Sequence, residues 1–574
     1  MYQKTAIRIP DAKGKITYQT QNDIKYVYFE RERNYDADRQ FNVPKRSCIG
    51  KVVPGDSSKM YPNDNFAVFF PDFVLPPVNE TVTRSCGLKL GPYILLEWAL
   101  KKDGIDEIVK GILGSKDGGL FLDLAAYSII CEDNAAQYYP DYAYTHPLFT
   151  ENMHIFSDST VSRFLESITN EQRETFLNIW NDRMDHRQKI YISYDSTNKN
   201  CQAGEVTMVE YGHPKENIGA PIFNIAIAYD RTNRVPLFYE EYLGSIVDVS
   251  QLQYMLAKAK AYKYRQIGFI LDRGYFCKEN ILFMDEAGFD FIIMVKGMKS
   301  LLAEAIQEAW GTFERSRKCY IRDFEVYGTT LNRKLYADDT KKRYIHIYYS
   351  YFREAGEQNR LERNLNKMED TLKQYLNGEK HTWPKKFSDY YQMEFNKEGI
   401  LVMYRERDEV VEEEMKYCGY FAIATSEKMT AAEALIRYKS RDESEKLFRG
   451  DKSYLGSKSM RAHGEESVSA KLFIEFIALI ARNRIHTTLT DAARTMEKRK
   501  NFMNVPAALK EMAKIELGRQ HDGIYRLDHA VSANQKAILE AFGLTEDDVE
   551  LKATELSQII ADADRKLKKT KEGA

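Results

Sequence analysis

The chain has 574 residues, 43% hydrophobic and 29% charged, with a formal net charge of −2. That length exceeds one ordinary core, so two to four domains are expected of a globular chain. The near-zero net charge argues against a general polyanion binder that works by bulk charge, although it averages over local patches.

Those patches are uneven. Residues 1–53 carry 11 Lys/Arg against 6 Asp/Glu, a local +5, and residues 452–519 carry 13 against 7, a local +6. The stretch RKLKKTK at 565–571 is basic in five of seven positions, and acid gathers elsewhere, as in RDEVVEEE at 407–414. One such patch is commonly a solvated face, whereas three together lean towards a polyanionic partner. The seven cysteines include no CxxC pair, which fits free thiols of a reducing cytoplasm and argues against structural zinc. The start MYQKTAIRIP lacks the apolar core of a signal peptide. The run LFIEFIALIA at 472–481 holds Glu475. It falls short of the ~20 residues of a bilayer span, so it reads as a buried helix and no membrane partner is expected.

In chain order, KYVYFERERNY (25–35) and RSCIGKVV (47–53) alternate as strands and predict a β-hairpin or small sheet. From Tyr93 the pattern turns helical. In SDSTVSRFLESITNEQRETFLNIWNDRM, Ser159 or Thr160 is a candidate cap for one helix, and Thr169, before Glu171 and Gln172, for the next. Two short helices at a tight junction fit a DNA-reading helix-turn-helix or any helical hairpin.

At 189 the texture changes. KIYISYDST reads as a strand ending in Asp195, followed by the strands PIFNIAIAYD (221–230) and RVPLFYEEY (234–242) around the turn DRTN. A helix at 247–264, the strand QIGFILDRGYF with Asp272 at its end, another helix and the strand FDFIIMVKG follow. Three antiparallel strands, then helix and parallel strand, is the layout of a ribonuclease-H-like α/β domain. After Lys299 strand-like pieces are broken by the charged helix REAGEQNRLERNLNKMEDTLKQYL, until GYFAIATSE (419–427) resumes the pattern. The expected organisation is an N-terminal mixed α/β, DNA-binding region (1–187) and a mixed-sheet catalytic domain (188–300 and 419–490). A β-containing insertion (301–418) interrupts that domain, and a helical C-terminal region with a basic tail (491–574) ends the chain.

Asp195 and Asp272 each fall where a strand of an α/β sheet delivers its side chains to a cleft. A lone aspartate there is usually a cap. Two after buried-type strands suit Mg²⁺, which binds through one or two carboxylates and keeps water and phosphate as its other ligands. Thr430 and Glu433 form a capping box that opens a helix. On one continuous helix Tyr438, Arg441, Glu445 and Lys452, at offsets 0, 3, 7 and 14, share a face about 60° wide. Glu445 would then be a third metal ligand, and Arg441 and Lys452 phosphate clamps, with Tyr438 on a sugar or phosphate. Ser440 or Asp442 is also a helix-start residue, and Gly450 weakens the last turn, so a break would separate the outer members. A salt-bridged, solvated helix face is the alternative reading of the same charges.

Tyr438, Arg441, Glu445 and Lys452 match Y-x2-R-x3-E-x6-K, and the chain here resembles bacterial insertion-sequence transposases of the DDE class. YDST resembles their first-aspartate motif and LDRGYF their second. GYFAIATS is similar to the strand that returns from a β-rich insertion, and HGEESVSAKLFIEFIALIARNRI to the helix that closes the domain. Asp442 and Ser444 depart from the family, which carries a tryptophan after the arginine and an aliphatic residue before the glutamate. Asp442 and Glu443 thus compete with Glu445 for the ligand role, with spacing favouring Glu445.

The resemblance implies a DNA transposase of the bacterial cytoplasm and nucleoid. It would bind the terminal inverted repeats of double-stranded DNA, pair two ends as a homodimer and cut with Mg²⁺, or Mn²⁺ in its place. Asp195, Asp272 and Glu445 would be catalytic and would hold two ions. Tyr438, Arg441, Lys452 and Thr197 would touch DNA or support a ligand, and the freed 3′-OH would attack the opposite strand or target DNA. Trp310 and Trp383 are candidates for holding a flipped base, against packing as the plainer role. A ribonuclease-H-like endonuclease without strand transfer, or a domesticated non-catalytic DNA-binding protein, are the alternatives. The long N-terminal region argues against the first and the intact acids against the second.

Overall fold

The computed structural model describes residues 6–572 apart from 13, 22–23, 37–39, 72, 74–83, 202–205, 208, 211–220, 244–247, 265, 296–298, 337, 442–458, 463, 497–500 and 521–523. Its contacts divide the chain into two compact units, Met1–Ser85 and Cys86–Ala574. The region 1–187 of the sequence reading therefore spans the first unit and the opening helices of the second.

The first unit is an antiparallel sheet in the order Ile7–Arg8, Asp56–Pro62, Phe41–Val53, Ile24–Asp36, Ile16–Gln21. The predicted hairpin is its centre. Ile7, Val27, Ile49 and Met60 bury one face against Phe66 of the helix Asp64–Phe69, whose N-cap Asn63 accepts from the Asn65 amide.

The second unit is organised by a ten-stranded mixed sheet. Its strands are β1 (Ile190–Cys201), β2 (Ile222–Asp230), β3 (Val235–Leu243), β4 (Ile267–Leu271), β5 (Asp290–Met294), β6 (Tyr320–Ile321), β7 (Val326–Arg333), β8 (Arg343–Tyr349), β9 (Tyr420–Thr425) and β10 (Ser459–Met460). The order β3-β2-β1-β4-β5, antiparallel among the first three and parallel from β1 to β5, is the ribonuclease-H-like core. It continues antiparallel as β9-β8-β7-β6, while β10 pairs parallel with the end of β1. Every residue of β2 and β4 is buried, as expected for strands covered on both faces.

Strands from within 301–418 thus widen the main sheet. Residues 351–416 add a smaller core of their own, in which Leu361, Leu365, Met368 and Leu372 of the helix Tyr351–Tyr375 pack on Tyr391 and Leu401 of a two-stranded sheet. Trp383 is half-buried at its margin, edge-on to Phe387.

Helices cover the β3 side. Ser157, rather than Ser159 or Thr160, caps the helix Asp158–Ser167, because its hydroxyl accepts from the Thr160 amide. Thr169 and Gln172 form a capping box on the helix Asn170–Asp182. That second helix docks on β3: Trp180 Nε1 donates to the Pro236 carbonyl at 2.9 Å, and Arg173 meets Glu241 at 2.6 Å. The apolar run 472–481 lies in the buried helix Glu465–Thr495. The C-terminal region is mostly helical and folds back on the start of this unit. Strand Glu516–Arg519 pairs with Gly87–Lys89, and a Cβ at Gly91 would sit 2.1 Å from the Met512 carbonyl oxygen, so only glycine permits that approach. No helix among the described residues is long and apolar enough to cross a membrane.

Fully buried His346 on β8 is held between the hydroxyls of Thr330 (2.9 Å) and Thr425 (3.0 Å), and burial lowers its pKa to about 4. The unfolded chain then binds more protons than the folded one between about pH 6.5 and 4. Stability is complete above that window and is lost as pH falls through it, by roughly 1–3 kcal/mol from this residue. Urea midpoints at pH 7 and 4.5 should show the loss, and His346→Asn should reduce it. An unchanged pH slope in the variant would assign the acid sensitivity elsewhere.

Candidate active site

The parallel register fixes the first relation. Ile270 of β4 stands level with Ser193 of β1, so two residues further on Asp272 is level with Asp195, on strands about 4.8 Å apart. β1 does not end at Asp195 as expected: it runs on to Cys201, because β2 continues to pair with it through Asn200↔Ile222. Only β4 stops, at Leu271, and Asp272 turns the chain. The cleft edge therefore comes from the ending of β4 beside a longer β1.

Asp272 is the N-cap of the turn Arg273–Tyr275, accepting from the Arg273 amide at 2.6 Å. That turn is tied back to β1. Tyr275 Oη donates to Ser196 Oγ at 3.1 Å, its ring lies 5.1 Å from that of Tyr194, and Asn280 Nδ2 donates to its carbonyl. Residues either side of Asp195 thus brace the loop that begins at Asp272. Thr197 is buried in β1, paired with Ile225.

The third element is the helix Ala431–Lys439, opened by the predicted Thr430–Glu433 capping box. Ala431, Leu435 and Tyr438 bury its inner face on Ile270, Ile292, Tyr348 and Ile423 of the sheet. The single continuous helix of the sequence reading is not what forms. The helix stops at Lys439 with Ser440 as C-cap, and Arg231, just after β2, donates to the Ser440 hydroxyl at 3.2 Å. Arg441 lies beyond that cap, yet it converges with Tyr438. Tyr438 Oη donates to Asp272 Oδ1 at 3.4 Å, and Arg441 Nη1 lies 3.6 Å from Asp272 Oδ2. The guanidinium also sits over the Tyr438 ring, 5.7 Å from its centroid. Tyr438 and Arg441 are buried while the Asp272 side chain is 39% exposed, so the carboxylate is gripped from below and open above.

Glu445 and Lys452 lie outside the described residues, as do Asp442, Glu443 and Ser444, and the Asp195 side chain is likewise not described. The described chain resumes in β10, paired with Asn200–Cys201 of β1. The stretch bearing Glu445 and Lys452 is therefore flanked by Arg441 on Asp272 and by β10 on the strand of Asp195. No cluster of three metal-ligating side chains occurs among the described residues. Aspartates level on adjacent strands would suit Mg²⁺, with water and phosphate as its remaining ligands.

Sequence reasoning missed Ser196 and Tyr275, and also the buried ion pair between Lys199 and Glu475 at 2.7 Å. Two anomalies signalled that pair: a lysine within a strand of buried residues, and a lone glutamate in the apolar run 472–481.

A ribonuclease-H-like sheet with level aspartates at its carboxyl edge, and a returning helix that grips one of them, is the arrangement of a DDE domain. The family model described as "Transposase DDE domain" matches residues 190–481, and the chain belongs to that family. It is a transposase by family. Among solved structures it is similar to the piggyBac transposase synaptic complex with hairpin DNA, at 9% identity over 74% of this chain and 72% of that chain, with a TM-score of 0.31. It is also similar to the Mos1 mariner paired-end complex with Mn, at 12% identity over 24% of this chain and 50% of that chain, with a TM-score of 0.13. No curated protein matches the chain.

Proposed function

We propose that this transposase binds the terminal inverted repeats of an insertion sequence, hydrolyses the phosphodiester at each end, and joins the freed 3′-OH to target DNA. The observation that carries the reading is the convergence of Tyr438 and Arg441 on Asp272. A merely solvated helix face would send its cations to water, whereas here a buried arginine and a buried tyrosine orient one half-exposed carboxylate. Two residues of a four-residue signature meeting on the second aspartate is what a metal-holding site requires.

In this reading Asp195, Asp272 and Glu445 hold two Mg²⁺ ions, or Mn²⁺ in their place. Bound there, the metal supplies activation of water and neutralisation of the leaving oxygen. Arg441 fixes the plane of the Asp272 carboxylate, and Tyr438 holds its other oxygen. Lys452 neutralises the phosphate, and buried Thr197 supports the strand of Asp195 from within. The DNA is double-stranded, two copies of the chain pair two ends, and the setting is the bacterial cytoplasm and nucleoid.

Cleavage of a labelled duplex carrying the element's end tests this. The wild type and Asp442→Ala should cut at the boundary in Mg²⁺ and not in EDTA, while Glu445→Ala binds without cutting. Wild-type cleavage by Glu445→Ala would remove Glu445 from the site.

A further inference from the structure

At the end of the sheet away from β3, four strands place a tyrosine at one level. Tyr420 of β9 pairs with Tyr349 of β8, Tyr349 with Tyr327 of β7, and Tyr327 with Tyr320 of β6. Direct cross-strand partners share a face, so these rings form a row. Neighbouring rings lie 4.9 Å apart at Tyr349–Tyr420 and 5.1 Å apart at Tyr320–Tyr327, and Tyr351 packs on both Tyr327 and Tyr349.

The row lies on the edge that carries Asp272. The registers of β4, β5 and β9 put Asp272 level with Met294 and Ile423, so Tyr420 stands three residues further out towards the same edge, with its ring on the opposite face. At the spacings of a sheet, the row begins about 14 Å from Asp272 and ends about 26 Å away.

An exposed ring stands at each end of the row, and its outer end is basic. Trp310, 46% exposed, leans on Tyr420 at 5.8 Å, and Tyr320 is 38% exposed. The segment Arg315–Arg322 reads RSRKCYIR, with four cations and no acid, and Arg315, Arg317, Lys318 and Arg322 are exposed. None of the four forms an ion pair among the described residues.

Cations with aromatic rings suit a nucleic acid held by its phosphates and by stacking, contacts that carry no sequence code. A row of 14–26 Å corresponds to about four to eight nucleotides from the scissile phosphate at roughly 3.4 Å each. We infer that the Trp310–Tyr320 rim, with Arg315, Arg317, Lys318 and Arg322, holds the flanking duplex outside the element while its end is cut. Flanking DNA differs at every insertion site, so only sequence-tolerant contacts can serve it, and this rim offers only those. The inference rests on the end-cleavage reading of the same site.

The test compares two end duplexes, one with about 12 flanking base pairs and one trimmed to two, in binding titrations from 50 to 200 mM salt. The wild type should bind the long substrate more tightly. Arg317→Ala/Lys318→Ala should bind it about tenfold more weakly than the wild type, with a log K against log salt slope shallower by about 1.8, close to 0.9 per lost phosphate contact. On the trimmed substrate the variant should bind and cut as the wild type does. Trp310→Ala should likewise lose affinity only for the long substrate. A wild type that gains nothing from the added flank, or a variant equally weakened on both substrates, overturns the inference and leaves the end-cleavage reading intact. A wild type that neither binds nor cuts the end overturns that reading, and the inference with it.

Discussion

Asp272→Asn is expected to lower end cleavage by about 10³-fold, roughly 4 kcal/mol of barrier, while duplex affinity stays within a few-fold of wild type. The substitution separates chemistry from architecture. Asp272 caps the Arg273–Tyr275 turn through a side-chain oxygen, and asparagine caps helical turns as well as aspartate does. The Tyr438 hydroxyl still finds an oxygen acceptor, so the loop and the helix end keep their places. What disappears is the negative charge that would hold a cation and that faces Arg441. Loss of an acid opposite incoming phosphate does not weaken DNA binding. Single-turnover cleavage, filter binding and a melting curve on one preparation therefore decide the matter. A variant that melts and binds normally yet cuts within tenfold of wild type would remove Asp272 from the chemistry. Arg441→Lys should fall 10–100-fold instead, because a lysine keeps the charge but loses the planar grip on a carboxylate it orients.

The core strands, the capping box and the second aspartate were legible because each is locally encoded. β2, β4 and β5 are largely apolar runs, Thr430 and Glu433 cap their own helix, and Asp272 follows directly on β4. Helix ends were less legible. The charge pattern after Tyr438 suits a longer helix, but the Ser440 hydroxyl meets Arg231 from the β2–β3 turn, a contact between residues 209 positions apart. The end of β1 was misread for the same reason, since β2 supplies the partner that carries it past Asp195. The widening of the sheet by β6–β9 was not visible either: periodicity marks a strand but not its neighbour, and the tyrosine row exists only once registers are known. Convergence on Asp272 was not legible: the charge pattern assigns Tyr438 and Arg441 to sugar and phosphate, whereas both reach the carboxylate, Arg441 from a turn.

Lys199→Met should cost about 3–5 kcal/mol of stability, and Lys199→Met/Glu475→Leu should regain most of it. Lys199 is four residues past Asp195 on β1, its side chain fully buried, with its ammonium 2.7 Å from Glu475 of the helix Glu465–Thr495. Removing one partner takes from a buried charge its nearest counter-charge, whereas removing both leaves apolar side chains of similar volume. The two single variants should differ. Lys471, one turn before Glu475, donates to the Arg461 carbonyl next to β10, and burial lowers its pKa to about 8 while Glu475 opposes that shift. In Lys199→Met, Glu475 still has Lys471 nearby; in Glu475→Gln, both buried lysines lose that acid, and Lys471 keeps Asp133. Glu475→Gln should therefore be the less stable. Urea midpoints of the three variants check this, and a Lys199→Met midpoint equal to wild type would mean that the pair contributes nothing.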